Sequence, residues 1–251
     1  MQKSTLQTKL LIDADIYAYR SCSAAEEETD WGDDIWSLST DLKVAKEIFQ
    51  NELEKCIVAL NSSNLLLCFS SGDNFRKSIN PTYKSGRKKT RKPIGYVALV
   101  DWCKERYDTF SKPGLEADDC LGILATKPEN AGSCIVVSDD KDLKTIPGKL
   151  YRPTQNERLE ITEAAADKWF YTQCLTGDST DGYPGCPGIG TVKADKLLAH
   201  RPAWSVVEQA FIKAGQTKED ALMQARMARI LRYTDWDGDK QQPILWSPAA
   251  A

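Results

Sequence analysis

Nine carboxylates of this 251-residue chain stand where they could act together. Asp13 directly follows the apolar run Leu10-Leu11-Ile12, and Asp140 and Asp142 follow Ile135-Val136-Val137. Asp73 lies just past the run Leu65 to Phe69. Glu116, Asp118 and Asp119 open a helical segment in Leu-Glu-Ala-Asp-Asp, and Asp178 and Asp181 sit in Gly-Asp-Ser-Thr-Asp-Gly. Any one of these acids alone reads more readily as a cap or a surface charge, and Asp15 and Asp139 are read that way. The set reads differently, because carboxylates at several strand ends converge where open parallel sheets bind their ligands. Converging acids need a cation. The single histidine, His200, and eight scattered cysteines without a Cys-x-x-Cys pair argue against zinc. Hard oxygen ligands select Mg²⁺ or Mn²⁺. Two such ions about 3.5–4 Å apart are the usual apparatus for hydrolysing phosphodiesters.

An anionic partner is suggested by the positive charge as well. Net charge is −3, yet residues 76 to 100 hold no acid and carry Arg76, Lys77, Lys84, Arg87, Lys88, Lys89, Arg91 and Lys92. Such a patch on an acidic protein is either a solvated loop or a local grip on an anion. Further on, Gly182 to Leu198 is glycine-rich without the Gly-Lys-Ser/Thr of a phosphate loop or the third glycine of a dinucleotide fold. It fits a helix–hairpin–helix turn. Pro187, Gly188 and Gly190 would let backbone amides at a helix start approach a phosphate, with Lys193 and Lys196 adding charge. A plain interhelical turn is the alternative.

These residues need a scaffold. The three apolar runs lack alternation, as parallel strands covered on both faces do. Helical stripes lie between them: one capped by Asp41, one over Tyr96 to Phe110, and one opened by Glu116. After about Leu159 the pattern is helical with Gly/Pro breaks, and Thr217-Lys-Glu-Asp starts the clearest late helix, carrying Ala221, Ala225, Met227, Ile230 and Leu231. The acidic stretch Glu26 to Asp34 reads as a solvated face or loop. The expected fold class is α/β, with a mostly parallel central sheet flanked by helices over residues 1–160. An arch-like basic segment at 76–100 and a helical DNA-binding region at 161–251 complete the expected organisation. No apolar run is long enough to span a membrane, and the polar start carries no signal-peptide core, so a cytoplasmic protein is expected.

The ordered motifs Leu-Ile-Asp13-Ala-Asp, Asn74-Phe-Arg-Lys…Pro81-Thr-Tyr-Lys-Ser-Gly-Arg87, Leu115-Glu-Ala-Asp-Asp, Val137-Ser-Asp-Asp-Lys-Asp-Leu and Gly177-Asp-Ser-Thr-Asp-Gly-Tyr resemble the 5′-nuclease superfamily. That superfamily includes flap endonucleases and the 5′-nuclease domain of DNA polymerase I, and within it the chain most resembles the 5′→3′ exonucleases of short-tailed phages. The resemblance implies a PIN-like core with a helix–three-turn–helix module at Gly185 to Lys196, which sometimes holds K⁺. It implies two Mg²⁺ ions on Asp13, Glu116, Asp118, Asp119, Asp140, Asp142, Asp178 and Asp181. Arg76, Lys84 and Arg87 would meet the scissile or neighbouring phosphates. Lys77, Tyr83, Lys88, Gly185, Gly188, Gly190 and Lys193 would contact DNA. The implied substrate is double-stranded DNA with a 5′ end, RNA–DNA hybrid being a second. One position departs from the family pattern: Ser71 stands where an acid is usual, so either Asp73 substitutes from a shifted turn or this ligand is missing. A 5′ flap endonuclease is the alternative on the same scaffold. A non-catalytic DNA-binding protein with a structural ion is the alternative of another class.

Overall fold

The computed structural model describes residues 7–86 and 91–248. Strand β1 (Lys9–Asp13) leads into helix α1 (Ala14–Ala24), an antiparallel ribbon of β2 (Glu26–Asp30) and β3 (Trp36–Thr40), and the long α2 (Leu42–Leu60). Then come β4 (Leu65–Cys68), the short α3 (Arg76–Ile79), α4 (Tyr96–Arg106) and β5 (Thr109–Phe110). The core is completed by α5 (Ala117–Thr126), β6 (Cys134–Val137), β7 (Gly148–Arg152) and β8 (Glu157–Ile161). Four helices follow, α6 (Glu163–Thr176), α7 (Thr191–Leu198), α8 (Trp204–Lys213) and α9 (Lys218–Ala228), and then a small pair, β9 (Trp236–Asp237) and β10 (Gln242–Pro243).

The main sheet runs β5-β4-β1-β6-β7-β8. All pairings are parallel except β7 with β8. Its non-alternating strands are explained by their two covered faces. Leu10, Ile12, Leu67 and Val137 pack with α1, α2 and α4, whereas Leu11, Cys68, Val136 and Leu150 pack with α5. Helices α6–α9 gather around a third cluster that includes Phe170, Phe211, Ala225 and Met227. Asp13 is level with Cys68, and Ile12 with Val137, so the carboxyl ends of β1, β4 and β6 align.

Local details differ from the sequence reading. The acidic stretch at 26–34 is part of the β2–β3 ribbon, in which Glu26 pairs with Thr40; its exposed, acid-rich strand carries little strand signal, and Trp36–Thr40 supplies the partner. The helix expected over Tyr96 to Phe110 ends at Arg106, since Tyr107 turns extended and Thr109 and Phe110 pair with β4. Helix α9 stops at Ala228, and Ile230 and Leu231 turn into the cluster beneath α5. Among the described residues no helix is long and apolar enough to cross a membrane.

Candidate metal centre and nucleic-acid interface

Asp13 ends β1 and is buried, and its Oδ2 accepts a hydrogen bond from Ser138 Oγ at 2.7 Å. Ser138 follows β6 directly, so the parallel register that aligns the two strands also fixes this bond. The same Ser138 oxygen accepts the Asp140 N–H at 3.1 Å, which turns the chain so that Asp140 and Asp142 follow on one tight 3₁₀ turn. Burial lifts the Asp13 carboxyl to about 7 against the relief given by Ser138, and the charges of Asp15 and Asp140 add to the rise. Asp118, in the first turn of α5, is held well above the usual carboxylate range by burial and then by Asp13, Asp140 and Glu116. Burial and the neighbours Asp140, Asp178 and Asp181 raise Asp142 to about 6, with Lys141 opposing. These couplings define two overlapping groups, with Asp140 common to both.

The donor set suits a hard divalent cation. It is oxygen throughout: the eight cysteines are all buried and free, and His200 is exposed. Asp142 Oδ1 is buried with no hydrogen-bond partner, a state that a carboxylate oxygen keeps only at a cost unless a cation meets it. Among the described residues no three of these groups already surround a single point at ligand spacing. Ammonium groups stand between the acids instead. Lys84 Nζ bonds Glu116 Oε1 and lies 3.6 Å from Asp181 Oδ2, and Lys141 Nζ lies 3.9 Å from both Asp142 Oδ1 and Asp178 Oδ2.

Four sequence assignments are corrected here. Asp119 is fully buried and does not face the centre. Its Oδ1 accepts from Arg76 Nη2 at 2.8 Å and the Leu231 N–H at 3.1 Å; its Oδ2 accepts from Arg76 Nη1 at 2.8 Å and the Glu116 N–H at 3.2 Å. The Glu116-to-Asp119 spacing thus serves a capping box at the start of α5. Arg76 is correspondingly buried, and also donates to the carbonyls of Met227 and Arg229 at 3.1 and 2.5 Å, so it is not presented to a phosphate. Asp73 is exposed, and its Oδ1 accepts the Asn74 N–H at 3.0 Å; it caps a turn and does not replace the acid absent at Ser71. Ser71 Oγ lies within bonding distance of the Asp73 and Leu115 carbonyls. Tyr83 is 4% exposed, too buried to stack on a base, and its hydroxyl reaches Glu116 Oε2 at 2.8 Å and Asp181 Oδ2 at 3.3 Å.

Lys84 departs from ordinary backbone geometry, with φ of 54°. Its N–H donates to the Asp181 carbonyl at 2.9 Å, and the chain at Thr82 presses on Gly182, where an added Cβ would lie 3.0 Å from the Thr82 carbonyl. The basic segment is therefore docked on the acid loop at its near end. Lys77 is exposed on α3, while Arg87 and Lys88 lie outside the described residues.

The glycine-rich turn divides into two parts. Gly185 is buried: its N–H donates to Gln224 Oε1 at 2.9 Å, and a Cβ there would come within 2.3 Å of the Gly177 nitrogen. Two backbones meet at that point, so Gly185 packs the turn and does not offer itself to DNA, a fifth correction. Gly188 and Gly190 are exposed, with open space where a side chain would begin, and Gly190 caps α7. Gly190, Thr191, Val192, Lys193 and Lys196 line an open hollow of about 490 Å³ at the amino end of α7. Amides at a helix start beside two lysines suit a phosphate.

Sequence reasoning missed Ser138 and Asp15. Ser138 could have been suspected as the residue between strand end and acids. Asp15, read as a cap or surface charge, is half-buried and bonded to Ser70 and Tyr96. Asp139, read the same way, is also half-buried: it accepts from Arg20 at 3.0 Å and from the Thr154 N–H at 2.9 Å.

Comparison with known proteins gives the family and the fold. The 5′-3′ exonuclease N-terminal, resolvase-like domain family matches residues 8–169. The exonuclease of Escherichia phage T7 is 30% identical over 95% of this chain and 93% of its own. The exodeoxyribonuclease of Enterobacteria phage T3 is 30% identical over 95% and 92%. Among solved structures, the T5 5′-exonuclease with bound divalent zinc ions superimposes with a TM-score of 0.66 at 13% identity, covering 87% of this chain and 88% of that one. The fold and the extent of these matches make the chain a member of the 5′-3′ exonuclease family.

Proposed function

We propose that the protein hydrolyses phosphodiester bonds in the 5′→3′ direction from the 5′ ends of duplex DNA, using two divalent ions, Mg²⁺ or Mn²⁺. The observation that carries this reading is the crowding of Asp13 and Asp118 with Asp140, and of Asp140 in turn with Asp142, whose buried Oδ1 has no hydrogen-bond partner. The T7 and T3 relatives named as exonucleases support the nuclease chemistry, and the 5′-3′ exonuclease family match supports its direction. Asp13, Glu116, Asp118 and Asp140 would hold one ion, and Asp140, Asp142, Asp178 and Asp181 the other. Bound there, the ions would make a nucleophile available at neutral pH and stabilise charge on the phosphoryl oxygens.

The chain's own part is positioning. Ser138 holds Asp13 and the Asp140 backbone together, so the acids of two strands arrive in fixed register. With Glu116 engaged on an ion, the Lys84 ammonium would be released from it and available to a phosphate, its backbone still tied to Asp181. Arg87 and Lys88, further along the basic segment, would extend this grip over the strand end. The amides and lysines at the start of α7 hold the duplex backbone away from the reacting bond, with K⁺ a candidate bridging ion at the Gly188 turn. RNA–DNA hybrid would be accepted wherever contacts reach only phosphates. The cytoplasm of a host cell is the expected place of action. The test is digestion of duplexes labelled at either end, blunt or with a 5′ flap, with Mg²⁺ and with chelator. Release of short 5′ products only with the metal is expected; strict 3′→5′ polarity, or full activity in excess chelator, defeats the reading.

A further inference from the structure

The acids that face the centre reach it from the ends of β1 and β6, from α5 and from the loop after α6. Strand β4 lies beside β1 on the side away from β6, and it brings no carboxylate: Ser70 and Ser71 follow it, and Asp73 faces solvent. That flank is occupied by Asp15, in the first turn of α1. Its Oδ2 accepts the Ser70 N–H at 3.0 Å, just past β4, and its Oδ1 accepts the Tyr96 hydroxyl at 2.8 Å from the start of α4. Both donors are neutral, and among the described residues no lysine or arginine pairs with Asp15. A carboxylate oxygen with one such bond keeps further acceptor capacity. Asp15 is therefore an oriented, half-buried carboxylate without a basic partner among the described residues, two residues from Asp13.

We infer that Asp15 is a ligand-side member of the divalent-ion centre, supplying from α1 the anion that the β4 flank lacks. Ser70 and Tyr96 are its positioning residues. This rests on reading the acid cluster as that centre. The geometry has a purpose of its own: the Ser70 N–H sits where the chain leaves β4, so the bond fixes Asp15 relative to the sheet and not merely to its own helix. Tyr96 extends the link to the far end of the basic segment, with Lys92 Nζ 4.2 Å from its ring centroid.

The experiment measures Mn²⁺ binding by calorimetry, without DNA, for Asp15→Asn, Tyr96→Phe and Asp140→Asn. Circular dichroism confirms folding. Asp15→Asn is expected to weaken binding by about tenfold or more, at the scale of losing a group next to a metal. Tyr96→Phe, which keeps the carboxylate, is expected to change it by less than about threefold, consistent with a support role worth a single hydrogen bond at most. Should Asp15→Asn fold poorly, Asp15→Ser removes the charge while retaining an acceptor for the Ser70 N–H, and the same loss is expected. Wild-type Mn²⁺ affinity in Asp15→Asn beside a clear loss in Asp140→Asn overturns the role of Asp15 alone. An equal loss in Tyr96→Phe and Asp15→Asn overturns it too, because Asp15 would then act only as a strut for α4. Wild-type affinity in both Asp15→Asn and Asp140→Asn removes the divalent centre itself.

Discussion

Arg76 and Asp119 meet through two parallel hydrogen bonds of 2.8 Å, with the guanidinium and the carboxylate both shut away from water. The pair joins α3 to α5, and through the Met227 and Arg229 carbonyls it also joins the sheet domain to the end of α9. Removing one partner of such a pair leaves a buried charge unmatched, at a cost of about 3–5 kcal/mol. Asp119→Ala should therefore lower stability in urea by that order, while the folded fraction binds Mn²⁺ normally. A stable Asp119→Ala variant that has lost metal binding would return Asp119 to the metal centre.

Asp118 is its neighbour in sequence and its opposite in role. Its charge is opposed by Asp13, Asp140 and Glu116, so Asp118→Asn should leave the chelated protein at least as stable as the wild type at pH 8. Turnover should fall by at least about 10²-fold, the scale for loss of a positioned electrostatic group. Steady-state digestion beside thermal melting checks both. Near-normal turnover would remove Asp118 from the centre.

This contrast marks the limit of what the sequence reveals. Strands β1, β4 and β6 are legible because strands buried on both faces read as unbroken apolar runs, and the acids at their ends are legible by position. Asp118 and Asp119 are chemically identical and adjacent, and only the turn of α5 sends one towards Asp13 and Asp140 and the other to Arg76. Arg76 looks like part of a basic patch because its partners, Asp119 and two carbonyls near residue 228, are far away in sequence. Likewise Gly185 and Gly190 look alike within one turn, although Gly185 touches the Gly177 backbone and Gly190 touches nothing.

Metal removal should couple to pH with a definite sign. Folded-state burial and crowding raise Asp13 to about 7 and Asp142 to about 6, from an ordinary value of 3.8. The folded chelated protein then binds more protons than the unfolded chain across roughly pH 4–7, so their contribution is fully present below about pH 4 and is lost as pH rises through 6 and 7. Mg²⁺ offsets the repulsion that appears there. Melting in chelator should thus drop between pH 5.5 and 8, and the rise in melting temperature given by Mg²⁺ should be larger at pH 8. A Mg²⁺ effect that shrinks from pH 5.5 to pH 8 would contradict this.

Gly190 has a φ of −96° and open space around it, so Gly190→Val should fold normally. The added side chain stands at the amino end of α7, where a phosphate would approach. Losing one charge-assisted hydrogen bond of about 1.5 kcal/mol weakens DNA binding by roughly tenfold. Single-turnover rate at saturating enzyme should not change. Unchanged affinity with a slowed rate would place Gly190 in the chemistry.

Lys84 carries the last test, because it is bound to the acid loop in two ways. Its ammonium neutralises Glu116 and approaches Asp181, and its backbone N–H holds the Asp181 carbonyl in a left-handed conformation that a lysine adopts only under constraint. Lys84→Ala removes the first tie and keeps the second. In chelator the acids lose a counter-charge, so melting at pH 8 should fall; with Mg²⁺ the difference should narrow, because the ions then supply the charge. On DNA, the single-turnover rate should drop by roughly 10²–10³ if the ammonium stabilises charge at the reacting phosphate. Duplex affinity should fall only modestly, since the start of α7 still grips the backbone, and the salt slope should change by about one unit for one lost phosphate contact. Single-turnover cleavage in Mg²⁺, set beside binding in Ca²⁺ across a range of salt, separates the two effects. If affinity falls as far as rate, Lys84 is a binding contact and takes no part in the chemical step.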